Sequence, residues 1–315
     1  MSGLDEAATD NLDDRVYPFQ VDKIGVRGRL VRLGAALDEI LSTHDYPLQV
    51  SELLGEAIAL CVALSSTLKF EGLFSLQVRG NGAVRAIVAD FETPGAIRGY
   101  ASYDDTALAA GEGRAQDVTA LFGQGYLTWT VDQGGDTQRY QGIVPLEGAS
   151  LAACLEAYFR RSEQLRAVVR VGVAREERPG EEVRWRGGAI MAQNIAAQGG
   201  HGGQAPASVV DDADWHHASA LVGSTTPLEL CDPALSPEGL LRRLFHEDGV
   251  WMYDPTVVEA RCRCSRERID SVLRQFSADE IAEMITESGN IEVRCEFCSK
   301  LYHFDGESRL ATGQA

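Results

Sequence analysis

A chain of 315 residues with 44% apolar and 24% charged side chains is long enough for one large or two modest domains, and its composition is that of a globular protein. Its 47 acidic and 29 basic residues give a net charge of −18, which opposes binding to phosphate backbones and anionic lipid surfaces. Nucleic acid and membranes are therefore poor candidate partners.

Residues 1–14 are acidic and polar, without a basic n-region or an apolar h-region, and read as a disordered tail and not a signal peptide. No run approaches the length of a membrane span. Seven cysteines in a chain without an export signal point to a reducing, cytoplasmic location, where clustered thiols indicate metal or redox chemistry before structural disulfides.

From Val26 to Leu33 the mixture of apolar and basic residues predicts a strand with one exposed face. Leu37, Ile40 and Leu41 suggest a short helix. Ser51 is a plausible N-cap for a longer one, whose stripe runs from Leu53 to Ser65 and includes Cys61, read as a small buried hydrophobe. The alternating runs 74–78 and 84–88 flank Gly80-Asn81-Gly82, where Asn-Gly predicts the positive φ of a tight hairpin turn. Strands are expected at Ile97–Tyr103 and Tyr126–Val131, with Gly134-Gly135-Asp136 turning the latter back into Thr137–Val144. Ser150 opens a helix carrying Leu151, Cys154, Leu155, Tyr158 and Phe159, and Cys154 is read like Cys61. Strands at Ala167–Val173 and Val183–Ile190 follow. Strands mixed with separate helices, without regular βαβ alternation, predict an α+β domain with a mainly antiparallel sheet over residues 15–197.

Four glycines in Gln198–Gln204 mark a flexible linker, assigned to residues 198–254. Val209–Leu221 is a weak helix pattern in which His216 and His217 read as solvated. Ser236-Pro237 starts a better helix with Leu240, Leu241, Leu244 and Phe245 on one face. Helices this short are marginal alone, so their order depends on packing against something else. Cys231, beside Asp232-Pro233, is read as unligated.

The last sixth of the chain carries the strongest signal: Cys262-x-Cys264 and Cys295-x-x-Cys298. This spacing can place four thiolates around one tetrahedral ion, and Zn²⁺ most favours a closed sulfur shell. Between the pairs, Ile269, Val272, Leu273 and Phe276 recur at helical spacing. Ser277 and Glu280 form a capping box for a second helix through Ile281, Met284 and Ile285. Ile291–Val293 leads as a strand into the second cysteine pair and Leu301–Phe304 leads out, with His303 read as an unligated strand position. Residues 255–306 are assigned to this module and 307–315 to a tail. So small a core needs its ion to fold.

A closed four-thiolate shell has no open position for substrate, which disfavours a hydrolytic metal. Arg261, Arg263, Arg266, Arg268 and Arg294 flank the thiols and predict lowered thiol pKa values. Attack by peroxide or hypochlorite would take the sulfurs to sulfenic acid and then disulfide, removing the donors that hold the ion. A nucleic-acid zinc ribbon is the competing use of those arginines. Between Thr256 and Tyr302, however, seven basic residues face nine acidic ones, which favours the switch.

Leu240–Glu247, Cys262–Arg268 with its Ser-Arg-Glu-Arg, and Val293–Cys298 closely resemble the redox-regulated heat-shock protein 33 chaperones. Pro18–Gln20, Val26–Arg29, Leu68–Gly72, Tyr158-Phe159 with Ser162–Gln164, and Arg186–Gly188 are similar to further landmarks of that family in the expected order, so the likeness covers nearly the whole chain. The resemblance implies an ATP-independent holdase, zinc-bound and inactive when reduced, with one Zn²⁺ per chain on Cys262, Cys264, Cys295 and Cys298. It further implies that oxidation with heat releases the ion, joins Cys262 to Cys264 and Cys295 to Cys298, destabilises the linker and exposes apolar surface to unfolded clients, the active form being a homodimer. The glycine-rich insertion and the additional Cys61, Cys154 and Cys231 depart from the pattern. Two other readings stand beside this one: a nucleic-acid- or ribosome-associated zinc-ribbon adaptor, and an enzyme with a structural zinc. For the enzyme no P-loop, G-x-S-x-G, H-E-x-x-H or dinucleotide fingerprint is found.

Overall fold

The structure is a computed structural model that describes residues 12–110, 117–134, 140–177, 180, 182–194 and 211–306. The chain divides into two units, residues 1–42 with 46–260 and residues 43–45 with 261–315. The glycine-rich run 198–204, and residues 135–139 from the predicted turn and the start of the strand predicted after it, lie outside the described residues.

In the first unit, β1 (Arg15–Val21) and β2 (Val26–Leu33) lead into α1 (Ala35–Ser42) and α2 (Leu48–Ser65). Three strands follow, β3 (Leu73–Gly80), β4 (Val84–Glu92) and β5 (Ala96–Tyr103), and then the short helices α3 (Asp105–Ala110) and α4 (Val118–Phe122). Next come β6 (Gly125–Asp132), β7 (Tyr140–Pro145), α5 (Leu151–Tyr158), β8 (Ala167–Glu176) and β9 (Arg184–Asn194). The linker region supplies α6 (Asp212–Gly223), α7 (Pro227–Cys231) and α8 (Pro237–Phe245), followed by the two-residue strands β10 (Trp251–Met252), β11 (Thr256–Val257) and β12 (Glu259–Ala260).

Two six-stranded sheets result. One has the order β10-β1-β2-β9-β8 with β11 also on β1, and the other the order β12-β5-β4-β3-β6-β7. Every pairing is antiparallel except β12 on β5. The fold is α+β, as the strand and helix pattern predicts.

The central helix α2 packs against both sheets. It is apolar nearly all round, with Leu54, Ala57, Ile58, Ala59, Leu60 and Val62 at 1% exposure or less. A helix so enclosed needs no polar face. Its 18 residues are long and apolar enough to cross a membrane, which corrects the expectation that no run reaches that length. It is a core helix here. It also starts at Leu48, three residues before Ser51, with Pro47 as an N-cap that makes no side-chain bond.

The sheet built on β1 and β2 buries both faces, and the period-two alternation of strand side chains decides which residue goes where. Val31, Leu33, Val169, Ala189 and Met191 join the core around α2. Phe19, Leu30, Val168, Ile190 and Ala192 point the other way, where Ala218, Val222, Leu230, Leu240, Leu241, Leu244 and Phe245 of α6, α7 and α8 cover them. The expectation of an exposed face on Val26–Leu33 holds only for Arg27 and in part for Arg29: the linker helices take the face of Val26 and Leu30 from water. Each large side chain so buried contributes about 1.5–3 kcal/mol, which is how helices too short to persist alone are held.

Two features seat α7, which its composition does not announce. Gly172 and Gly188 face each other across β8 and β9. A Cβ on either would stand 2.6 Å from Pro227 Cα or 2.7 Å from the Leu230 carbonyl oxygen. Beside this bare patch two buried arginines reach up from the sheet. Arg32, 2% exposed, donates to the carbonyls of Leu235 at 3.0 Å and Asp232 at 2.5 Å. Arg186 donates to the Cys231 carbonyl at 2.8 Å and to Asp13 at 2.6 Å, and Asp13 also lies 3.8 Å from Arg32. Asp14 accepts from the backbone N–H groups of Gly34 and Ala36 at 2.8 and 3.1 Å. The end of the acidic stretch assigned to a tail is therefore anchored from Leu12 onward, where the Leu12 carbonyl accepts from Tyr17 at 2.7 Å.

The hairpin of β3 and β4 forms as expected, but neither Asn81 nor Gly82 adopts a positive φ. Asn81 Oδ1 instead accepts from the Gln124 N–H at 2.9 Å, and a Cβ on Gly82 would stand 2.4 Å from the Leu121 carbonyl. Close approach to α4, and not turn chirality, asks for glycine there. Strands β11 and β12, which the sequence assigned to the cysteine module, lie on the sheets of the first unit.

Candidate metal centre

The second unit holds α9 (Arg266–Leu273), α10 (Ala278–Met284) and a hairpin of β13 (Asn290–Arg294) and β14 (Leu301–Asp305). Its elements form for local reasons, of which the sequence reading named the α10 capping box but not the cap of α9. Ser265 caps α9 by accepting from the Arg268 N–H at 3.2 Å, and Ser277 and Glu280 complete a reciprocal capping box on α10. The core is only Leu273, Ile281, Ile291, Tyr302 and Phe304, with partly buried neighbours around it.

Cys262 and Cys264 sit on the extended stretch before α9, and Cys295 and Cys298 on the turn joining β13 to β14. That turn is tied by the Cys295 N–H to the Lys300 carbonyl at 3.0 Å and the Ser299 N–H to the Cys295 carbonyl at 2.8 Å, with Ser299 at φ +53°. The four Sγ atoms all lie within 4.8 Å of one another. The Cys262–Cys295 and Cys264–Cys298 separations are 3.7 and 3.4 Å. Four sulfurs about 2.3 Å from one tetrahedral ion would stand about 3.8 Å apart, so the donor set fits a single metal ion.

Burial pushes the Cys264 thiol up, but the Tyr302 hydroxyl, donating to Cys264 Sγ at 3.1 Å, and the neighbouring thiols bring it down to about 7. Burial raises Cys262 and Cys298. The Tyr302 hydroxyl thus favours the thiolate at Cys264, and a thiolate is the form that binds metal or attacks an oxidant. The sequence reading put Tyr302 only on the outgoing strand; no spacing rule picks out a tyrosine four residues beyond the last cysteine as a partner of the thiols. Three of the flanking arginines point elsewhere. Arg266 donates to the His303 carbonyl at 2.7 Å and lies over Phe304, Arg268 donates to the Arg263 carbonyl at 3.1 Å, and Arg294 to the Ser299 carbonyl at 3.2 Å. Their contribution here is to the frame of the module. His303 lies off the cluster, 3.6 Å from Glu292.

Tyr302→Phe is expected to weaken metal retention about tenfold, the scale of a lost partner to a metal ligand. Because acid releases metal by protonating the thiolates, the pH of half-release should move upward. Competition with a chromophoric chelator across a pH series reads both changes.

The remaining thiols belong to the first unit. Cys61 and Cys154 are buried in the core around α2, and Cys61 donates to the Ala89 carbonyl at 3.3 Å. Cys231 ends α7, where burial pushes its thiol up to about 11. His217 is not merely solvated, since its Nε2 lies 2.9 Å from Asp248.

Fold and site together define an α+β protein with a separate C-terminal module able to hold one metal ion on four thiols. The family model described as Hsp33 protein matches residues 14–305. The chain is 46% identical to the 33 kDa chaperonin of Caulobacter vibrioides over 93% of this chain and 95% of that one, and 35% identical to that of Aeromonas salmonicida over 93% and 92%. The crystal structure of the 33 kDa chaperonin (heat shock protein 33 homolog) from Thermotoga maritima shares the fold, with a TM-score of 0.77 at 23% identity, covering 95% of this chain and 98% of that one. The chain belongs to the Hsp33 family, whose members are chaperones.

Proposed function

We propose that this chaperone is an ATP-independent, non-catalytic holdase governed by the redox state of its four C-terminal cysteines. The observation that carries this reading is that α6, α7 and α8, the helices preceding the cysteine module, lie over an apolar sheet face. In the reduced protein Cys262, Cys264, Cys295 and Cys298 hold one Zn²⁺, an ion that cross-links the module and performs no turnover when four thiolates close its shell. Peroxide takes two electrons from each pair of thiolates, forming one S–S bond and, with two protons, two waters. The disulfides, assigned by family likeness to Cys262–Cys264 and Cys295–Cys298, no longer serve as donors. The module then loses the constraint on which its small core depends. Combined with heat, this frees α6, α7 and α8, the described helices of the linker assigned to 198–254, to leave the sheet, and the bared face takes up unfolding client proteins. The division into chaperone core, metastable linker and redox module follows from this reading. A homodimeric oxidised form, a cytoplasmic location and the lack of a nucleic-acid partner belong to it as well.

The test is to add peroxide at elevated temperature, follow zinc release with a chromophoric chelator, and measure suppression of aggregation of an unfolding client. Zinc release and protection are expected to rise together. Zinc that stays bound, or a reduced protein that protects clients equally well, overturns the reading. Tight, salt-sensitive RNA binding would favour the zinc-ribbon alternative instead.

A further inference from the structure

Beyond the C-terminus of α2, and away from the face under α6–α8, the first unit holds a half-open cavity of about 120 Å³. Its walls are aromatic. Phe74 and Trp129 stack with centroids 5.9 Å apart at 12°, and Tyr140 meets Trp129 edge-on at 5.0 Å. Phe159 and Glu163 enter from a five-residue π-helical turn, Phe159–Glu163, which Gln164 closes at φ +53°. Wide turns of this kind recur at functional sites. Glu163 is fixed there, accepting from the Tyr158 and Tyr140 hydroxyls at 2.6 and 3.0 Å, so the wall is built before anything binds.

One wall residue is left over. Gln193 on β9 is 5% exposed and lines the cavity, yet its side-chain amide makes no hydrogen bond among the described residues. Solvent reaches that amide only through the cavity, so it is free to offer a ligand both a donor and an acceptor. Arg27, paired with Gln193 across the sheet, lies exposed at the mouth and forms no ion pair among the described residues. Size narrows the ligand. At about 120 Å³ the space is well below the roughly 300–1,000 Å³ of small-molecule sites. It would take about four waters at about 30 Å³ each, but its lining suits one apolar side chain better.

We propose that this cavity anchors one large apolar or aromatic side chain of an extended polypeptide, with Gln193 pairing to the adjoining main-chain amide and Arg27 donating to a neighbouring carbonyl. That the polypeptide is a client rests on the chaperone reading above. The anchor itself needs neither oxidation nor release of the linker helices, because its walls stand complete in the folded unit.

The test follows the Trp129 indole N–H by NMR in the full-length, reduced, zinc-loaded protein during titration with N-acetyl-phenylalaninamide, with N-acetyl-glycinamide as control. A saturable shift with the phenylalanine compound alone is expected. Gln193→Ala, which breaks no hydrogen bond of the folded chain, should weaken binding roughly fivefold. Leu68→Asp, at a rim position 38% exposed, should abolish it, and should cut client protection by the oxidised protein at least threefold. No saturable shift, an equal response to the glycine compound, or unchanged affinity in both variants overturns the anchor. Intact client protection in Leu68→Asp overturns the assignment of its occupant to clients. Loss of the anchor with oxidant-dependent zinc release intact leaves the redox switch standing, and the reverse result leaves the anchor standing.

Discussion

Stripping the metal under reducing conditions is expected to unfold the second unit and leave the first one folded. Five buried side chains, Leu273, Ile281, Ile291, Tyr302 and Phe304, cannot offset the conformational entropy of a module of this length. The ion is the missing term, since four-thiolate sites in comparable peptides contribute about 10–16 kcal/mol of apparent binding energy. Cys295→Ser should have the same effect without a chelator. Hydrogen exchange reads the result segment by segment: protection in β13 and β14 should collapse, while β3, β4 and α2 keep theirs. Unchanged protection of β13 and β14 after complete metal removal would show that the module stands on its apolar core alone.

Replacing Arg32 is the second large effect. Its guanidinium is buried, burial pulls its pKa down, and Asp13 works against that pull. Arg32→Met would leave the Asp232 and Leu235 carbonyls without this donor and take one guanidinium away from Asp13. Removing one member of a buried charged network costs about 3–5 kcal/mol. That penalty falls on the segment that closes the apolar sheet face, so the variant should bind a hydrophobic dye and protect clients while reduced and metal-loaded. Arg242→Ala, which removes an exposed pair with Glu238 3.8 Å away, should change neither, because exposed pairs are worth at most about 1 kcal/mol. A reduced Arg32→Met protein as inert as the parent would mean that the helices hold to the sheet by apolar contact alone.

The sequence was most informative where structure is local. Ser150, Ser236 and Ser277 cap the helices predicted for them, because an N-cap is decided within four residues, whereas Ser51 caps none. The cysteine spacing likewise sufficed to bring four sulfurs together. What it missed is set by distant parts of the chain. Arg32 and Arg186 look like surface residues, and only the carbonyls of residues some 45 to 200 positions later make their burial tolerable. Helix α7 had no apolar periodicity to betray it. Its place is determined by Gly172 and Gly188, on strands that each read as ordinary. Asn81-Gly82 gave the right hairpin for the wrong reason, since α4, some forty residues away, decides the backbone there.

The ten residues from Trp251 to Ala260 add β10 and β11 to β1 in one sheet and β12 to β5 in the other. Contacts of such long sequence separation form late. During synthesis the outer edge of β1 must therefore wait, with its main-chain groups unpaired, until four-fifths of the chain has been made. An unpaired strand edge in a nascent chain is a template for mispairing. The stretch that finally closes it runs straight on into Cys262. Completion of the first unit and delivery of the first metal-binding thiols are thus adjacent events in the life of the nascent chain.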